Sequence, residues 1–427
     1  MTALLIVLLL LVLILVRVPV SFAILGAGVI GLAFIGGPHV VDGVMQTAPA
    51  TSVMSFSLSA VPLFILMAHL IMLSGLLDSL FGATRAVVGR IRGGTAVASI
   101  AAGTAFASVS GSSTAAAATM AQTSTVKMVD EGYSPRMASG LVAVVGTLAA
   151  MIPPSVILVF YAITAETSVG DQLIAGFLPG ILIACTLVAV MYFTMLRNPQ
   201  HVPAGEKASW ADKGRALLTA SPLVIVFLAV VGSIYVGLAT ATEAAALGCV
   251  ASFILVVAKG RFSLPGLGHT LVETTKTTAM IFAIIIGAHV FGHFLTETKV
   301  TPTIVEWVGG LAVPNVVIML FIALIYVVLG FFMDQIAIIA LTVPVVLPLA
   351  VELGYDPVWF GVFIVLLAEV GLVTPPLGLN VFVVAKSAGQ RIEEVFRGAA
   401  PYVVGMLAVA LLFLLVPAIV MWIPNTM

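Results

Sequence analysis

Between Pro135 and Ile163 the chain reads PRMASGLVAVVGTLAAMIPPSVILVFYAI, an apolar run with a single charge, Arg136, interrupted by Pro153-Pro154. Taken from 136 to 165, a straight helix at about 1.5 Å per residue would be about 45 Å long. A bilayer's hydrocarbon core is only about 30 Å thick. Proline lacks a backbone donor and pushes its predecessor out of the helical region, so the first helix ends near Ile152 with carbonyls left unpaired. The run is expected to form two half-helices with free polar backbone between them.

A second break sits at Thr374-Pro375-Pro376-Leu377-Gly378-Leu379-Asn380. Sliding the chain on itself by 222 residues superposes Pro153-Pro154 on Pro375-Pro376, Gly132-Tyr133 on Gly354-Tyr355 and Pro135 on Pro357. The match extends to Gly176 with Gly398 and Pro179 with Pro401, and upstream to Ala23, Leu25 and Gly26 with Ala245, Leu247 and Gly248. The chain therefore divides into a first repeat, 1–200, a polar linker, 201–215, and a second repeat, 216–427.

Composition sets the environment. Of 427 residues 61% are apolar and 8% charged, against about 25% charged in soluble domains, so a soluble enzyme is excluded. The formal net charge of −1 leaves no basic face for nucleic acid. Cys185 and Cys249 both fall in apolar runs and read as packing residues. Leu4 to Val16 reads as a first span, with no basic residue before it and Arg17 after it. Further spans are expected near 19–36, 53–76, 136–165, 172–196, 216–238, 240–258, 271–296, 357–388 and 398–423. With the linker cytoplasmic, 16 of the 17 Lys and Arg residues fall on its side, as the positive-inside rule asks. Both termini then face outward, and five crossings per repeat make the two repeats inverted. That architecture is common among secondary transporters, whose sites lie at the repeat interface.

Arg92 and Lys127 bound an uncharged stretch too short for two crossings. It is expected to be a re-entrant hairpin, about 95–127, with arms of about 15 residues and a tip at Ser110-Gly111-Ser112-Ser113-Thr114. The offset predicts a second hairpin near 314–351, with its tip at Phe332 to Gln335. Chain reversal at membrane depth leaves carbonyls and N–H groups without partners. Ser and Thr hydroxyls can cap the N–H groups, and converging carbonyls offer hard oxygens to a small cation. Among intramembrane ionisable groups, Asp334 at the second tip and Glu369 are candidates for the site or for structural hydrogen bonds. His69, His289 and His293 read as packed, hydrogen-bonded histidines. No phosphate-binding loop of the G-x-x-x-x-G-K-[ST] kind occurs. An intramembrane hydrolase built on Ser112 lacks an accompanying histidine motif.

The runs Gly111-Ser112-Ser113-Thr114-Ala115, Glu131-Gly132-Tyr133-Ser134-Pro135, Gly146-Thr147-Leu148 and Ile152-Pro153-Pro154-Ser155 resemble the large membrane subunit of tripartite ATP-independent periplasmic (TRAP) transporters. The second half agrees through Gly330 to Pro344 and Gly371 to Asn380, and the likeness covers essentially the whole chain. The resemblance implies an all-α polytopic membrane protein: an inverted-repeat, elevator-type secondary transporter with two re-entrant helical hairpins and two broken helices. It implies a bacterial inner-membrane location and uptake of an organic acid such as a C4-dicarboxylate or a sialic acid. Sodium ions would be the coupling ions, with no cofactor and no enzymatic activity. The implied partners are a small four-helix membrane subunit, here a separate chain, and a periplasmic substrate-binding protein. By position, a first sodium site would use Ser110, Gly111, Ser112 and Ser113 with Ala149, Ile152 and Pro154. A second would use Gly330, Met333 and Asp334 with Gly371, Thr374 and Leu377. Ala149 stands where the family usually has glycine, and a carbonyl ligand survives that change unless the backbone needs positive φ. The anion would lie between the tips, near Ser112, Thr114, Ser155, Pro375, Gly378 and Asn380, where half-helix N-termini favour a carboxylate. A stand-alone sodium/anion symporter is the alternative within the same fold.

Overall fold

The computed structural model describes residues 2–16, 18–88, 91–197, 210–310 and 313–426, and every regular element among them is helical. Arg17, Arg90 and the linker core, 198–209, lie outside the described residues. The first half runs α1 (Thr2–Leu15), α2 (Val20–Thr51), α3 (Ala60–Leu73), α4 (Leu76–Val88), α5 (Gly94–Ser110), α6 (Ser113–Met120), α7 (Val126–Asp130), α8 (Pro135–Val145), α9 (Leu148–Met151), α10 (Val156–Thr164) and α11 (Val169–Arg197). The second runs α12 (Trp210–Tyr235), α13 (Ala241–Ala258), α14 (Leu264–Glu297), α15 (Val300–Gly309), α16 (Asn315–Phe332), α17 (Gln335–Glu352), α18 (Pro357–Leu372), α19 (Leu379–Ala388), α20 (Ile392–Leu415) and α21 (Ala418–Met421). Nine helical segments among the described residues are long and apolar enough to cross a membrane. The pair Pro135–Met151 and Val156–Thr164, bent by 46°, makes up to ten.

The helices end and restart at Gly111–Ser112 and at Met333–Asp334, and they are interrupted at Pro153-Pro154 and Pro375-Pro376. Under the 222-residue offset, α16, α17, α18, α19 and α20 begin within one residue of the places set by α5, α6, α8, α10 and α11. Pro153-Pro154 and Pro375-Pro376 both have cis peptide bonds. The hairpin arms are longer than the expected 15 residues: α5 has 17, and α16 and α17 have 18 each.

The elements pack into two groups. In one, α14 lies along α2 and α3, α13 packs on α3 and α12, and α1 lies on α2. Close approach is built into this group by glycine: a Cβ on Gly28 would sit 2.9 Å from the Phe291 backbone nitrogen, and one on Gly287 2.9 Å from the Ser21 carbonyl. The other group holds the hairpins, the broken helices, α11 and α20. There α8 crosses α20 so tightly that a Cβ on Gly140 would strike the Gly398 backbone. The connecting helices α4 and α15 follow left-handed residues, Gly75 (φ +69°) and Lys299 (φ +54°). Beyond those turns α4 packs on both α12 and α5, and α15 packs on α17.

Several sequence expectations need correction. Helix α2 does not stop at residue 36. It turns at Gly37 (φ +71°) and continues to Thr51. Helix α14 starts at Leu264 rather than 271, because Ser263 accepts a hydrogen bond from the Gly266 N–H and Pro265 occupies the first turn. Glu273 and Lys276 do not interrupt it, since they pair with each other at 2.8 Å on an exposed face. The short helices α4 and α15 were not foreseen, and α12 begins at Trp210, inside the stretch assigned to the linker. Cys249 is buried and donates to the Leu63 carbonyl, whereas Cys185 is exposed. His69 pairs with Thr274 and His289 with the Ile285 carbonyl, but His289 and His293 are both exposed rather than packed.

Candidate ion and substrate site

At the first tip α5 ends at Ser110, Gly111 reverses the chain at φ +58°, and Ser112 adopts an extended conformation. The Ser112 hydroxyl accepts from the Ala115 N–H at 3.4 Å and lies 3.3 Å from Thr114 Oγ1, so it satisfies one of the donors the reversal exposes. Packing sets the tip against the first break. A Cβ on Gly111 would sit 2.7 Å from Val156 Cγ2, and one on Gly146 would sit 2.9 Å from the Ser113 carbonyl. Gly111 and Ser113 are thereby brought to the break that holds Ile152 and Pro154 and follows Ala149; all three are buried. Ser155 is placed differently from expectation. Its buried hydroxyl donates to the Ala150 carbonyl at 2.6 Å and accepts from the Leu158 N–H at 3.3 Å, so it closes the break instead of facing a substrate.

At the second tip Met333 is extended and buried, and Asp334 caps α17 by accepting from the Ala337 N–H at 3.0 Å. Asp334 is exposed, so the carboxylate capacity left over from the cap faces outward at the tip. Gly330 and Gly371 bring α16 and α18 into backbone contact: a Cβ on Gly330 would sit 2.7 Å from the Gly371 Cα. The Thr374 hydroxyl donates to the Val370 carbonyl at 2.6 Å, which leaves its lone pairs for a cation or donor. Unlike the first break, which is buried throughout, the second is open: Thr374 is half-buried, and Pro375 and Leu377 are exposed. Gly378, at φ +53°, then starts α19.

The halves interlock. Helix α19 packs on α6 and α10 on α17, so each break faces the other repeat's hairpin. Asn380, in the first turn of α19, is fully buried, yet neither atom of its amide has a hydrogen-bond partner. A buried, unpaired amide costs about 1–3 kcal/mol and calls for a polar group to complete it. Between the tips, Ser113 Oγ and Gln335 Nε2 both donate to Glu369 Oε1, and Gln335 Nε2 lies 3.2 Å from Ser113 Oγ. The Ser113 hydroxyl is thus spent within the protein. Sequence reasoning flagged Glu369 without foreseeing these partners, although Ser113 and Gln335 are 222 residues apart, the repeat offset itself.

The donors assembled are carbonyls freed at breaks and tips together with Ser and Thr hydroxyls, a hard-oxygen set suited to a small cation. Among the described residues no group of three His, Cys, Asp or Glu could hold a transition metal.

The family model for "Tripartite ATP-independent periplasmic transporter, DctM component" matches residues 7–419. The chain is 34% identical over 374 residues to the C4-dicarboxylate TRAP transporter large permease protein DctM of Pseudomonas aeruginosa, covering 87% of this chain and 86% of that one. It is 33% identical over 415 residues to the isethionate TRAP transporter permease protein DctMQ of Oleidesulfovibrio alaskensis, covering 95% of this chain and 64% of that longer one. Among solved structures, the YdaH transporter of Alcanivorax borkumensis superposes with a TM-score of 0.67 at 15% identity, over 94% of this chain and 97% of that one. That likeness carries the fold.

Proposed function

From the premise that the chain belongs to the DctM-component family of TRAP transporters, we propose that this large permease subunit for organic-acid uptake is driven by a sodium gradient. It is a multi-pass protein of a bacterial membrane and not an enzyme. The observation that carries the sodium reading is the pairing of each hairpin with a break: Gly111 and the Ser113 carbonyl lie against Val156 and Gly146, while Gly330 meets Gly371 near Thr374. Two such oxygen-rich junctions make two cation sites. The first comprises Ser110, Gly111, Ser112 and Ser113 with Ala149, Ile152 and Pro154. The second comprises Gly330, Met333 and Asp334 with Gly371, Thr374 and Leu377.

The substrate is a small organic anion, lying by Ser112, Thr114, Pro375, Gly378 and Asn380. The partnerless Asn380 amide supports that place, because it can donate to one carboxylate oxygen in a setting too dry for water to compete. The helix group holding the hairpins, broken helices, α11 and α20 moves as a body against the other, hinged at Gly75 and Lys299. A small membrane subunit and a periplasmic binding protein complete the transporter.

In proteoliposomes, uptake of a C4-dicarboxylate or another organic acid should require sodium with a Hill coefficient above one, and neither a potassium nor a proton gradient should replace it. Uptake unchanged in sodium-free medium would overturn the reading. Running the assay with and without the binding protein separates the tripartite transporter from a stand-alone symporter. Both termini and the ends of the second hairpin are proposed to face the periplasm, with the two repeats inverted about the 201–215 linker. Single cysteines at Glu306 and Glu352 should therefore react with an impermeant thiol reagent from outside, and one at Arg391 should not. Equal labelling of all three would end the inverted arrangement.

A further inference from the structure

Ser113 and Gln335 occupy the same position in the two repeats and touch each other, at 3.2 Å. A residue can meet its own repeat mate only on the axis that relates the repeats. Glu369 reaches that point from α18, and its side chain is fully buried. Its Oε1 receives both Ser113 Oγ and Gln335 Nε2, while Oε2 has no partner. The mate of Glu369 under the offset is Thr147, whose hydroxyl turns back to the Val144 carbonyl at 2.6 Å. This asymmetry has a steric reason: a point on a two-fold axis has room for one such side chain. One repeat therefore supplies the acid, and the other supplies a short residue that withdraws.

We infer that Glu369 is a positioning residue that ties the two hairpin tips to each other and to the second broken helix, so that ordering of one tip by its cation is passed to the other. An apolar contact there would let the tips slide past one another. A shared acceptor for two donors, in surroundings without water, sets one geometry for both. In the first hairpin the tie acts on Ser113, whose carbonyl faces Gly146; in the second it acts on Gln335, next to the Asp334 cap. Each cage thus senses the other through one carboxyl oxygen. This rests on the tips being cation cages.

The test compares Glu369→Leu, which removes the acceptor, with Glu369→Gln, which keeps a carbonyl oxygen in its place. In sodium-driven uptake, Glu369→Leu should bring the Hill coefficient down to about one and raise half-saturating sodium about 10-fold, while Glu369→Gln stays close to wild type. Gln335→Leu cuts the same tie from the other side and should also flatten the sodium dependence, so the inference does not hang on the folding of one variant. A second readout is independent of sodium. Spin labels on cysteines at Ala115 and Phe332 should report one narrow distance in the wild type and in Glu369→Gln, and a broadened one in Glu369→Leu. Unaltered steepness and distance in both leucine variants would overturn the inference, as would a Glu369→Gln variant as impaired as Glu369→Leu. A wild type that ignores sodium yet shows the broadening in Glu369→Leu would instead discard the cation reading and keep the tie.

Discussion

Gly371→Ala should lower sodium-driven uptake about 10- to 100-fold while the protein still inserts and purifies. The added Cβ would sit 2.5 Å from the Gly330 Cα and 2.7 Å from the Val327 carbonyl oxygen. These are backbone atoms, so no side chain can swing aside; α16 must move away from α18 instead. Overpacking of this kind costs about 1–3 kcal/mol, and every 1.4 kcal/mol is a factor of about ten in an equilibrium constant. The loss should show mainly in sodium dependence, because the displaced backbone is the one proposed to supply carbonyls to the second cage. Gly330→Ala meets the same wall from the other side, 2.7 Å from the Gly371 Cα, and should behave alike. Gly292→Ala, on α14 with nothing within 4 Å of the new methyl, should leave uptake unaltered. If Gly371→Ala transports with wild-type sodium dependence, the α16–α18 crossing is not part of the ion site.

The hairpins and breaks were legible because each is written in residues with one physical consequence. Pro-Pro ends a helix wherever it falls, and Ser-Gly-Ser-Ser between two short apolar arms reverses a chain and caps it. The internal offset then carried those readings to the second half, including the Phe332 to Gln335 tip, which has no comparable composition. The short helices α4 and α15 were not legible. Arg85 and Glu306 fall between the expected spans and the hairpins, and nothing local says that a charged residue there belongs to a helix packed beside a hairpin. Arg85 in fact pairs with Glu131 at 2.6 Å, at the base of the first hairpin. Side-chain direction at the breaks was equally hidden. Ser155 and Ser112 stand in similar patterns, but Ser155 turns inward to the Ala150 carbonyl while Ser112 remains half-buried at its tip. The difference depends on how the backbone leaves the break, which no periodicity encodes.

Thr374→Val should shift the sodium dependence of uptake about 5- to 100-fold to higher concentration. Thr374 is the one side-chain hydroxyl in the second break, from Val373 to Gly378, and it is half-buried at the open face. Its proton goes to the Val370 carbonyl at 2.6 Å, so in the wild type its oxygen has lone pairs to spend on a cation. Valine keeps the shape and the branching, which preserves packing and the local helix end. It removes the oxygen and also frees the Val370 carbonyl. Losses of this kind cost about 1–3 kcal/mol, which sets the range of the shift. The freed carbonyl works against the loss, since it gains a lone pair for the ion but sits a turn further back; a shift at the small end of the range would report that compensation. Ser112→Ala should weaken the first site in the same way, through the hydroxyl that caps α6 and touches Thr114. Ala149→Ser, at a position proposed to offer only its carbonyl, should leave sodium dependence near wild type. If Thr374→Val leaves the sodium curve where it is, the second cage is built from backbone alone or lies elsewhere. Measuring Gly371→Ala beside it then separates those two outcomes, since a backbone cage responds to the glycine and a displaced one to neither.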